Sequence, residues 1–165
     1  MVITRDELIA SLQKEVRILL HLLTKVDRDM LEYRPTPKQR STIEWIRYLS
    51  MVGPVLLKSA KAGGFDVALW TSEAKAAEAK SFEQLVETIA AQTDQYPALV
   101  NAFSDTDFRK ELEMFGNKSS IGFFIVNTVL CTHAAYRTQL FNHLKACGRT
   151  ELVTANLWAG MDPAA

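Results

Sequence analysis

Three helix-opening signatures punctuate this chain, and apolar residues follow each of them at three- and four-residue steps. Thr4 with Glu7, Ser41 with Glu44 and Ser81 with Gln84 all pair a hydroxyl with an acceptor side chain three residues on. That pairing satisfies two backbone N–H groups that a helix start leaves free. Behind the first signature, Leu8, Leu12, Val16, Leu19 and Leu23 trace one stripe, which predicts helix from about Arg5 to Lys25. Behind the second, Glu44, Tyr48, Met51, Val52 and Val55 share a face, with Trp45 and Leu49 beside them. Pro54 removes a backbone bond there and predicts a kink, and Gly63-Gly64 predicts the stop. Behind the third run Phe82, Leu85, Ile89, Tyr96, Val100 and Phe103, with Pro97 a second kink candidate.

The connectors are as telling. Tyr33-Arg34-Pro35-Thr36-Pro37 reads as extended or turned chain, because a proline disfavours helix in the residue before it. Phe65–Lys80 is less periodic, and its Ala-rich, charged part Glu73–Lys80 reads as either a short helix or a mobile loop. Ser104–Lys118 is a polar connection tethered by Phe108, Leu112, Met114 and Phe115. A fourth helix is expected from Ser119 or Ser120 to about Ala146, stopped by Gly148. Trp158 in the polar tail predicts that the tail docks on the body. Four long helical patterns without a credible strand predict an all-α, four-helix bundle, and residues 1–165 read as a single domain.

Nineteen basic residues balance nineteen acidic ones, so there is no electrostatic footprint for nucleic acid. The most apolar stretch, Ile121–Ala135, is short and carries Asn127, Thr128, Thr132 and His133, which fits a core helix and not a membrane span. Met1–Glu7 has no secretory pattern, so a cytoplasmic protein is expected. Cys131 and Cys147 lie sixteen residues apart on one helix, roughly 24 Å at 1.5 Å per residue, too far to pair. Both read as buried or half-buried small apolar residues.

Taking about 100° per residue, His133 shares a sector with Val126, Val129, Leu130, Arg137, Leu140 and Leu144, with Tyr136 at its edge. It is either a structural histidine bonded to a neighbouring helix or a pocket residue serving as base or donor. Cys131 points the opposite way, which excludes a Cys–His dyad. His21 falls opposite the first stripe, at the surface or an interface, and His143 lies about 80° from His133, so the three histidines do not converge. No HExxH, Cys-x-x-Cys, EF-hand or phosphate loop is present. Glu44 is a cap or, alternatively, an inward carboxylate near Tyr48 with Arg137 as a possible partner.

The order of these parts, with S-T-I-E-W-I-R-Y-L in the second helix and H-A-A-Y-R-T-Q-L in the last, resembles the DinB (DinB/YfiT-like) superfamily. The resemblance implies an up-down-down-up bundle and a divalent metal held by three histidines. One histidine follows the second helix's serine by seven residues; two more stand four apart on the last helix, the second directly before Arg-Gly-Gln. These positions here are Tyr48, Thr132 and Tyr136. Phenols are poor ligands for zinc or nickel at neutral pH, so no metal and no cofactor is expected. The expected ligand-binding set is Tyr48, Thr132, His133, Tyr136, Glu44 and Arg137, around a small molecule in the former metal cavity. The alternatives are a metal- or thiol-cofactor-dependent transferase or hydrolase of the family's kind, and a homodimeric interaction protein pairing through Ile18, His21 and Leu22.

Overall fold

The computed structural model describes residues 3–163. Helix α1 spans Arg5–Leu23, α2 Thr42–Ala62, α3 Val67–Glu78 and α4 Phe82–Asn101. A hairpin of β1 (Glu111–Met114) and β2 (Asn117–Ser120) follows. The last long helix, α5, covers residues 121–146, and α6 (Thr154–Trp158) lies in the tail. All three expected capping boxes form, at Thr4, Ser41 and Ser81. Ser120 caps α5 and Gly63 closes α2 in the left-handed conformation.

α1 packs on α4 and α5, and α2 packs on the same two helices from the other side. The four form a bundle with α1 and α2 across its diagonal, and α3 lies against the outside of α2. The core is the stripes read from the sequence: Leu12, Val16 and Leu19 meet Ile46, Leu49, Val52, Leu85, Ile89, Tyr96 and Leu140. No helix among the described residues is long and apolar enough to cross a membrane.

Four expectations need correction. The connection after α4 contains strands: Leu112 and Met114 point inward while Glu111 and Glu113 point out, the period of two that a half-buried strand requires. Lys118 sits opposite Glu113 and lies 3.5 Å from Glu111 and 3.7 Å from Glu113. Phe115 is therefore no tether. It occupies the hairpin turn at φ 54° and is 57% exposed, its ring 5.1 Å from that of Phe65.

Second, α5 is not uniformly α-helical. Ile125–Leu130 is a π-helical stretch between α-helical Ile121–Phe124 and Cys131–Ala146. Its β-branched Ile125, Val126, Thr128 and Val129 are the residues that crowd an α-turn most, and a wider turn relieves them. The wide turn also shifts the helical phase upstream of His133, so Val126 and Leu130 are only partly buried while Val129 is fully so.

Third, the outer flank of α1 is not free. Ile18 and Leu22 are fully buried, because the tail and α6 lie over them. Gly160 permits this approach. Its φ is +64°, and a Cβ there would come within 2.9 Å of the Ile18 Cα. The amide of Asn156 donates to His21 Nε2 at 3.0 Å, so this histidine is covered by the chain's own tail. The face expected to pair two copies is an internal contact. Fourth, Cys131 is exposed, not buried, whereas Cys147 is half-buried as expected.

Candidate functional site

Two adjacent groups of side chains between α2, α4 and α5 are the candidates. The deeper one begins with Pro54. A proline inside a helix has no N–H for the carbonyl four residues earlier, so Ser50 loses its helical donor. Gln92 of α4 supplies the missing bond: its Nε2 donates to the Ser50 carbonyl at 2.9 Å and to the Leu49 carbonyl at 2.9 Å. Its Oε1 accepts from the Tyr96 hydroxyl at 3.3 Å, and that hydroxyl lies 2.5 Å from His133 Nε2. Gly53, next to the proline, leaves the space they occupy; a Cβ there would fall 2.0 Å from the Tyr96 hydroxyl and 2.6 Å from His133 Nε2.

All three polar side chains are buried, so their protons must be fully assigned. Gln92 offers Tyr96 an acceptor, so the phenol donates there and accepts from His133 Nε2–H. Only the His133 Nδ1 lone pair then lacks a partner. Burial holds the imidazole neutral, with its pKa lowered to about 4, and pushes the Tyr96 phenol above its ordinary value. Of the two sequence readings of His133, this geometry is the histidine bonded to a neighbouring helix.

A pH dependence follows. Below about pH 6.5 the unfolded chain protonates His133 while the folded one resists until about 4, so stability falls as pH drops across that window. At 1.36 kcal/mol per pKa unit the loss is about 3 kcal/mol. Urea unfolding of the His133→Gln variant should show that part of the pH slope gone. An unchanged slope would mean that His133 is not held neutral by burial.

The shallower group is aromatic. Tyr48 and Trp45 are one turn apart on α2, and Tyr136 comes in from α5. The Tyr136 ring lies 5.1 Å from Tyr48, edge to face, and 4.4 Å from Trp45. Trp70 of α3 meets Tyr48 from the other side at 5.9 Å. Arg40, just before the Ser41 cap, folds back with its guanidinium 4.5 Å from the Tyr48 ring centroid and 4.9 Å from that of Trp45. Burial first, then the neighbouring Tyr136 phenol, push the Tyr48 phenol up to about 12, so it is neutral at physiological pH. Beside this cluster an open cleft of about 570 Å³ runs between α2 and α3, lined by Arg40, Glu44, Arg47, Tyr48, Met51 and Trp70 among others.

Of the expected set, Tyr48 and Tyr136 come together, and Glu44 joins Tyr48 at the cleft. Thr132 is half-buried one turn before Tyr136 on α5, and His133 turns away from them to Tyr96. The Glu44–Arg137 pairing does not occur. Glu44 accepts from Ser41 N at 2.7 Å, which holds its carboxyl below the usual range, and Arg34 lies 3.4 Å away. Arg137 instead meets buried Glu15 of α1, donates to the Leu157 carbonyl and lies over Trp158, 5.2 Å from its ring centroid. His143 faces Thr42, its Nδ1 3.2 Å from that hydroxyl.

Sequence reasoning did not single out Gln92, Glu15 or Arg40 as site residues. The first two carried a signal, since each interrupts an apolar stripe at a core position: Gln92 between Ile89 and Tyr96, Glu15 between Leu12 and Leu19. Arg40 carried none, because its role depends on the chain folding back over a helix start.

No family model matches this sequence, and no curated protein matches it. A solved structure does: the crystal structure of a DinB-like protein, YjoA, from Bacillus subtilis is similar with a TM-score of 0.69. The likeness covers 88% of this chain and 94% of that one, at 15% sequence identity. At that identity the likeness is one of fold, and the chain has a DinB-like helical-bundle fold. The histidine-held metal that this resemblance implies does not fit the residues present. Tyr48, a neutral phenol, and Tyr136 are packed ring against ring, and Thr132 offers a hydroxyl. Among the described residues no three His, Cys, Asp or Glu side chains converge to hold an ion.

Proposed function

We propose that this protein is a metal-free, ligand-binding form of the DinB-like fold, with Tyr48, Tyr136 and Trp45 occupying the place of the metal and a small molecule bound in the adjoining cleft between α2 and α3. The observation that carries it is the continuity between the two: Tyr48 is at once half of the packed phenol pair and a wall of the cleft. Concave sites lined by aromatic and apolar groups with a few polar ones are where small ligands bind. Here Trp70, Met51 and Tyr48 are the apolar part and Arg40, Arg47 and Glu44 the polar part. Thiolate-activating transfer chemistry has no support in this donor set.

Elemental mass spectrometry tests the metal-free half. Protein offered zinc, nickel, iron and manganese should retain none in stoichiometric amount. The triple variant Tyr48→His, Thr132→His, Tyr136→His should gain a metal and a higher melting temperature with it, because imidazole suits zinc and nickel and phenol does not. Stoichiometric metal in the unaltered protein would overturn the reading.

A further inference from the structure

The wall of the cleft carries two arginines without carboxylate partners. Arg40 and Arg47 make no side-chain hydrogen bond or ion pair among the described residues, and Arg47 Nε is buried without any partner. The nearest acid of the wall, Glu44, is already engaged by Ser41 N and by Arg34, which stands outside the cleft. Glu78, the other acid of the wall, is exposed at its edge. Five arginines elsewhere are paired, Arg5 with Asp105, Arg28 with Glu83, Arg34 with Glu44, Arg137 with Glu15 and Arg149 with Asp27, whereas Arg17 and Arg109, which lie outside this cleft, have no ion pair among the described residues. Neither Glu44 nor Glu78 makes an ion pair with Arg40 or Arg47, although the Arg40 charge, after the Ser41 N–H bond, contributes to holding the Glu44 carboxyl low.

Arg40 is also held in place. Its guanidinium lies within cation–π distance of both Trp45 and Tyr48, two rings at 82° to each other, so it is drawn to the cleft wall while its N–H groups have no protein acceptor among the described residues. A guanidinium carries a planar fork of donors that matches a planar or tetrahedral oxyanion, and the two rings keep this one beside the cleft. The remaining surface is apolar and flat: the Trp70 ring, which meets Tyr48 and Phe65, with Met51, Ala74 and Ala77 beneath.

The geometry points to a small organic anion as the occupant, its carboxylate or phosphate held by Arg40 and Arg47 and a planar apolar body laid against Trp70 and Met51. This rests on the ligand-binding reading above and narrows it to a chemical class. The test titrates the full chain with 2-naphthoate, with the uncharged isostere 2-naphthamide and with inorganic phosphate, reading the Trp70 indole N–H and the Met51 methyl by NMR. 2-Naphthoate should shift both signals and bind at least about tenfold more tightly than the amide, the difference made by charge-assisted bonds. Arg47→Gln and Arg40→Gln should each remove that advantage without moving the amide's affinity, and Arg47→Lys should restore part of it. Equal affinity for acid and amide would overturn the anion inference and leave the cleft as a neutral ligand site. Phosphate shifting the same signals as strongly as naphthoate would overturn the apolar body. If neither naphthyl compound moves Trp70, and a wider set of matched acid and amide fragments is silent there too, the cleft reading itself falls.

Discussion

Replacing Gly53 with alanine should destabilise the fold by about 3 kcal/mol, although alanine is the better helix former. In an open helix the change would gain about 1 kcal/mol. Here the added methyl falls 2.0 Å from the Tyr96 hydroxyl and 2.6 Å from His133 Nε2. Tyr96 and His133 must separate, which breaks a buried hydrogen bond worth about 1–3 kcal/mol when its groups are stranded. Displacing two packed rings adds the usual overpacking cost, about 1–3 kcal/mol. For a chain of this size the sum lowers the melting temperature by roughly 10 °C. Tyr96→Phe supplies the control. It removes the atom that meets the methyl first, leaving His133 Nε2 at 2.6 Å and the ring carbon at 3.0 Å. Gly53→Ala should therefore cost about 1–2 kcal/mol less in the Tyr96→Phe background than in the unaltered chain, a coupling that a double-mutant cycle measures directly. Equal costs in both backgrounds would show that the helix tolerates a side chain at 53 by some other movement.

That glycine and its network show which part of the fold was legible in sequence. The capping pairs and apolar stripes are local, and each of the bundle's four helices could be read from them with its ends. The hairpin was missed for a local reason as well. Its alternation over Glu111–Met114 is only four residues long, and its turn is Phe115-Gly116 where a two-residue turn usually has Asn-Gly. The π-helical stretch left no periodic mark, because it is a departure from a period. The site was legible in its types and less so in its partners. Tyr48 and Tyr136 met because two facing helices fix their spacing. His133 was placed in the core correctly, yet its partner Tyr96 comes from α4, and no spacing along one chain segment gives the pairing of two helices. Pro54 did announce a missing donor, and Gln92 was the polar residue in a core stripe able to replace it. Joining those two facts needed the packing of α2 on α4.

The same gap hid the role of Arg137, whose replacement carries the second large effect. Arg137→Met should cost about 3–5 kcal/mol, because it leaves the Glu15 carboxylate buried between α1 and α5 with no cation. The attraction within the pair matters less than the stranded charge. Glu15→Leu in addition should therefore recover most of the loss, since an apolar pair of similar volume stabilises such a site about as well as the ions do. One deficit should persist in the double variant. Arg137 also donates to the Leu157 carbonyl and lies over Trp158, whose ring is 60% exposed and has little else to hold it. Without the guanidinium, the tail keeps the buried Asn156 with His21 and the more exposed ion pair of Lys25 with Asp162 beyond α6. Hydrogen exchange across Thr154–Trp158 should then quicken in both Arg137→Met proteins but not in Glu15→Leu alone, where the arginine still reaches the tail. Ile18 and Leu22 would become intermittently exposed as the tail lifts, and only in those two proteins should self-association appear. If the double variant is as unstable as Arg137→Met, the stranded carboxylate is not the cause of the loss. If exchange in α6 is unmoved, the tail is held by its packing on α1 and not by Arg137.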